Sequence, residues 1–146
     1  NIYPGGMEHK VPVLGMIERK GEIVLKVIPK ANKEVIRPIL NQRITCESVV
    51  ITDGFGPYRT LGKEFKKHVA INHEKRQKKK GKYNLSSIEG FWAMLKRAVM
   101  GVYHSISETH LQSYVNEISF KFNNRGKDIF NLLIKNMLDI KCAVSW

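Results

Sequence analysis

The apolar residues of this chain follow two spacings, one for each half. Up to residue 71 they fall mainly in short β-leaning runs, interrupted by helical stretches. Beyond residue 85 they recur at helical spacing to the end. Val11 to Glu18 and Glu22 to Ile28 are joined by Arg19-Lys20-Gly21, which predicts a hairpin. Asn32 to Ile44 sets Val35, Ile36, Ile39 and Leu40 on one helical face, with Asn32 as N-cap and a kink or interruption expected at Pro38. Ser48 to Thr52 is an apolar, β-branched run stopped by Asp53-Gly54, as in a buried central strand. A short helix around Leu61 to Phe65 and a strand at Lys67 to Ile71 are expected next. In the second half Ile88, Phe91, Trp92, Leu95 and Val99 share one helical face, with Ser86 expected as N-cap. Leu111, Tyr114, Val115, Ile118 and Phe122 repeat the pattern, closed by Gly126, and Asp128 to Leu138 predicts a third helix.

That order of elements predicts an α/β fold, a mixed sheet flanked by helices, in one domain over residues 1–146. Between the halves, His73 to Lys82 holds six Lys or Arg residues against one acid. With nothing apolar to bury, it predicts a flexible basic loop over 74–85.

Charge narrows the partners. The 146 residues carry a formal net charge of +12, which must lie on the surface and attract polyanions. Nucleic acid is the commonest of these, although an anionic membrane surface fits the charge equally well. Cys46 and Cys142 are far apart with no CxxC pair, so neither a disulfide framework nor a zinc ribbon is supported. No run reaches membrane-span length and no signal peptide is apparent, so the cytosol is the expected location.

Within so basic a chain, acids at strand ends and helix starts are the residues to weigh for metal-dependent phosphodiester chemistry, which needs hard oxygen ligands. Asp53 ends the apolar run, where ligands meet an α/β sheet, or else Asp-Gly simply makes a turn. Glu89 follows Ser86 at capping-box spacing and is either the reciprocal cap or a ligand facing the sheet edge. Lys96, seven residues on, shares a helical face with Glu89, as a phosphate contact or as an ion-pair partner. The basic run of Lys75, Arg76, Lys78, Lys79, Lys80 and Lys82 is either a solvated linker or a phosphate-tracking element.

Together these segments resemble the insertion-sequence DDE transposase superfamily whose eukaryotic members are called Merlin. The resemblance rests on Tyr3-Pro4-Gly5-Gly6, Val13 to Arg19, Thr52 to Tyr58, His73, Ile88 to Arg97, Gly101-Val102-Tyr103-His104 and Phe122-Asn123-Asn124-Arg125. It implies a ribonuclease-H-like core with an Asp-Asp-Glu triad and two Mg²⁺ or Mn²⁺ ions. Asp53 is then the second acid, Glu89 the third, and Lys96 with Arg97 the contact to transposon ends. Tyr103, His104, Asn123 and Arg125 become DNA contacts by the same resemblance; otherwise they are helix-end residues. The partners implied are transposon-end and target DNA, with a homo-oligomer on the DNA, in the nucleoid if the host is bacterial.

Two departures accompany the resemblance. Alignment on Tyr3 puts the first acid immediately before Asn1, so the first strand is expected to be truncated and the isolated fragment to show little or no strand transfer. The family's His-x-Asn reads Asn84-Leu85-Ser86 here. The other readings are a non-catalytic DNA-binding remnant and a ribonuclease-H-like nuclease.

Overall fold

Alternation along the first hairpin decides how the molecule is layered. In the computed structural model, which describes residues 11–71, 79–102 and 108–142, β1 (Val13–Ile17) pairs antiparallel with β2 (Ile23–Val27), Gly15 opposite Leu25. Odd and even side chains of a strand point to opposite faces. Val13 and Ile17 accordingly join one apolar cluster, with Ile23 and Leu25, while Leu14 and Met16 join another. Both faces of β1 are thus covered.

The first cluster is closed by two helices, α2 (Ser86–Val102) through Phe91 and Leu95 and α3 (Glu108–Asn123) through Leu111, Val115 and Ile118. The second is closed by α1 (Lys33–Arg43) through Ile36 and Leu40. Gly15 allows α2 to approach this closely: a Cβ there would lie 2.6 Å from Cζ2 of the Trp92 indole.

α1 begins as expected, with Asn32 Oδ1 accepting from Val35 N–H at 3.0 Å. It runs without a break through Pro38. The carbonyl that loses its partner belongs to Glu34; Glu34 and Pro38 are both exposed, so water can take its place.

β3 (Val49–Asp53) pairs with β4 (Lys67–Ile71) in parallel, Asp53 opposite Ile71. Where a helix was expected over 61–65, the connection makes two 3-10 turns, Gly56–Tyr58 and Leu61–Lys63. Leu61 and Phe65 do bury as their spacing suggests, but Lys66 N–H donates to Cys46 O at 2.6 Å and returns the chain to the β3 register after one turn.

The segment expected to be loop also differs. Its described part forms a small ladder, β5 (Lys79–Lys80) with β6 (Tyr83–Asn84), turning at Gly81 with φ +60°. Lys67 Nζ and Lys82 Nζ lie 5.2 and 5.7 Å from the centre of the Tyr83 ring. The terminal helix is α4 (Ile129–Cys142).

Antiparallel and parallel pairing are both present, as a mixed α/β fold requires. Among the described residues, however, the strands stand in separate two-stranded ladders rather than one sheet. The outer edge of β2 is covered by α3. Asn123 Oδ1 accepts from Ile23 N–H at 2.8 Å and its Nδ2 donates to Ile23 O at 2.9 Å. Gln112 Oε1 accepts from Val27 N–H at 2.8 Å, and its Nε2 donates to Leu25 O at 3.4 Å. Eleven helical residues span about 16 Å and four strand residues about 13 Å, so two amides three turns apart match the ends of β2. Two side chains stand in for a missing strand.

Candidate active site

A cleft of about 1220 Å³ lies beside these ladders. Every residue of β1 and of β3 lines it, whichever way its side chain points, whereas β4 contributes none. Among the described residues neither β1 nor β3 has a second ladder partner, which accounts for that pattern. Asp53 stands at the carboxyl end of β3, Glu89 in the first turn of α2, and both line the cleft together with Lys96. The three residues at the centre of the sequence argument therefore line the same cleft.

Local geometry sets Asp53. Its Oδ1 accepts from Phe55 N–H at 3.1 Å, so the turn expected of Asp-Gly does form, and the carboxylate remains exposed. Turn and ligand are compatible, since the turn's bond uses one of the two oxygens of an exposed carboxylate. Below it Thr52 bonds to His68 on β4. Glu89 and Lys96 are exposed. The chain enters α2 with Asn84 Oδ1 accepting from Ser86 N–H at 3.2 Å. Asn84, ahead of Ser86, is thus the residue whose side chain meets the start of the helix.

Two groups near Asp53 have displaced acidities. Burial pushes the Tyr58 phenol up to about 12, with the Asp53 carboxylate adding to the effect. Burial also holds the His68 imidazole below its ordinary value of 6.5. Both shifts favour the neutral form in the folded state. Below pH 10 the Tyr58 contribution is intact, and it is lost as pH rises from 10 toward 12. His68 acts at the other limb: above pH 6.5 it costs nothing, and stability falls as pH drops from there toward its folded value. Urea denaturation against pH should show a plateau between these limits, and Tyr58→Phe should flatten the alkaline fall, worth about 2–3 kcal/mol.

The other residues singled out from sequence are distributed as follows. Arg97 is exposed on α2 and Lys82 is exposed at the β5–β6 turn. Lys79 and Lys80 form β5. Lys75, Arg76, Lys78, Tyr103 and His104 lie outside the described residues. Asn123 uses both ends of its amide on β2. Arg125 lies over the Phe122 ring at 4.2 Å and donates to Phe122 O. Sequence reasoning missed Thr52, His68 and Tyr58, whose roles depend on contacts between elements that no local pattern displays.

Among the described residues, no three His, Cys, Asp or Glu side chains gather to hold a metal ion. Asp53 and Glu89 do offer two exposed hard-oxygen donors on one cleft. That set suits Mg²⁺, which takes one or two carboxylates and fills its remaining positions with water and phosphate.

An α/β core, two acids on one cleft and a strongly basic surface fit the class of insertion-sequence transposases. The chain belongs to the ISXO2-like transposase family, whose domain model matches residues 3–123. It is 28% identical over 105 residues to an uncharacterized transposase-like protein of Haemophilus influenzae, covering 72% of this chain and 84% of that one. No solved structure matches the chain. Among the described residues, no helix is long and apolar enough to cross a membrane.

Proposed function

We propose that this chain is the catalytic core of a DDE transposase that cleaves DNA at transposon ends and joins the freed strand to a target. The observation carrying this reading is that Asp53, Glu89 and Lys96 all line one cleft. Asp53 and Glu89 would hold Mg²⁺ or Mn²⁺, which supplies charge stabilisation to the attacking and leaving oxygens of an in-line displacement. Lys96 draws a backbone phosphate to the same rim, and the +12 surface supplies the long-range attraction to DNA. Water first cleaves a phosphodiester to leave a 3′-hydroxyl. That hydroxyl then attacks a target phosphodiester, so one ester bond forms as another breaks.

A ribonuclease-H-like core is the fold we infer for this chemistry. It is supported by the antiparallel β1–β2 pair, the parallel β3–β4 pair and the single cleft lined by every residue of β1 and β3. A homo-oligomer assembled on DNA is part of the same proposal.

The direct test is nicking of supercoiled plasmid by the intact protein, with Mg²⁺ or Mn²⁺ against chelator. Metal-dependent nicking is expected. Salt-sensitive DNA binding with no nicking in either metal would sink the catalytic reading and leave a DNA-binding module. Preferred cleavage of RNA–DNA hybrid over transposon-end duplex would make it a nuclease instead.

A further inference from the structure

Among the described residues, Thr52 is the one polar residue buried as a whole; the Glu64 carboxylate, buried at its oxygens, pairs with Arg37. Thr52 occupies an inward position of β3, where valine has nearly the same shape and carries no hydroxyl to desolvate. The hydroxyl is fully used. It donates to Asp53 O at 2.9 Å and lies 2.8 Å from His68 Nε2. Its single proton is spent on the Asp53 carbonyl, so Thr52 Oγ1 accepts from His68 Nε2–H.

His68 is half-buried on β4, paired opposite Val50, and reaches along β3 toward its carboxyl end. The chain of bonds therefore runs from β4, across the ladder, to the main chain of Asp53. On the far side of that residue, Phe55 N–H binds Oδ1. Asp53 is restrained at both its carbonyl and its carboxylate, although it stands exposed at a strand end where the backbone would otherwise fray.

We propose that Thr52 and His68 are positioning residues that fix the aim of the Asp53 carboxylate toward a divalent cation, a role that rests on the metal-dependent reading above. Neither touches the metal or the DNA. Their effect is to hold a ligand in its binding orientation before the metal arrives, as hydrogen-bonding partners behind metal ligands do.

The test compares Thr52→Val, Thr52→Ser and His68→Leu with Asp53→Asn in the intact protein. Mn²⁺ affinity is measured by calorimetry without DNA, and the Mn²⁺ concentration for half-maximal plasmid nicking is measured alongside. Thr52→Val keeps the shape but leaves the half-buried His68 Nε2–H and the Asp53 carbonyl without the hydroxyl, so it should unfold at a modestly lower urea concentration while staying folded in its absence. It should also weaken Mn²⁺ binding about tenfold or more. His68→Leu should do the same without altering β3, and Thr52→Ser should restore wild-type values. A merely structural role would move urea stability and leave the metal dependence alone. Wild-type Mn²⁺ affinity in both Thr52→Val and His68→Leu, alongside loss of binding in Asp53→Asn, would overturn the inference and leave the function standing. Wild-type metal response in Asp53→Asn would overturn both.

Discussion

Asp53→Asn should lower metal-dependent nicking by the intact protein about a thousandfold, the equivalent of several kcal/mol of charge stabilisation. The amide is nearly isosteric with the carboxylate, and its oxygen can still accept from Phe55 N–H, so the turn after β3 keeps its bond. Asp53 is exposed and belongs to neither apolar cluster, so urea stability should stay within about 0.5 kcal/mol of wild type. DNA binding in the absence of metal should be retained, because the basic surface is untouched and one negative charge has been removed. The three measurements together separate loss of a ligand from loss of the fold. Nicking at the wild-type rate with the asparagine in place would remove Asp53 from the site.

The largest effect on stability is expected at Asn123. Ile23 is 1% exposed, and the Asn123 amide satisfies both its N–H and its carbonyl. Asn123→Ala strands these two backbone groups at once, and the unfolding free energy in urea should fall by about 2–4 kcal/mol. Asn123→Asp gives a sharper control. The carboxylate can still accept from Ile23 N–H, but it faces the Ile23 carbonyl with an acceptor where a donor is required. It should recover no more than part of the alanine loss. Gln112→Ala should cost less, since of its two bonds to β2 the one to Leu25 O is 3.4 Å long. Indifference of the urea midpoint to Asn123→Ala would mean that α3 does not clamp the strand in solution.

Local pattern was enough to read the elements whose apolar positions recur at a regular spacing. β1, β2, α1, α2 and α3 lie where the alternation and helical spacing place them, because burying a stripe forces apolar residues into register. The 3-10 turns at Gly56–Tyr58 and Leu61–Lys63 were not legible. Leu61 and Phe65 have the i, i+4 spacing of a helix, but the turn stops at Lys63 and Lys66 N–H bonds across to Cys46 O, a contact that no local pattern displays. The β5–β6 ladder escaped notice because lysines carry no alternation and two-residue strands carry no period.

The site divides in the same way. Asp53 and Glu89 could be picked out as acids at element ends in a basic chain, and the shared face of Glu89 and Lys96 follows from helix geometry alone. That all three line one cleft depends on how α2 lies across β1, which the Gly15–Trp92 approach determines. The bonds from His68 to Thr52 and from Asn123 to Ile23 span 16 and 100 residues. An isolated His, Thr or Asn gives no hint of such a partner.

The α3 clamp also bears on which sequences this fold can tolerate. Asn123 and Gln112 grip main-chain atoms of Ile23, Leu25 and Val27 and leave the identities of the β2 side chains unread. The outward-facing members of that strand, such as the exposed Lys26, are free to vary without unsealing the edge. The strand can drift in sequence while two positions on a distant helix keep it from pairing with a neighbour's.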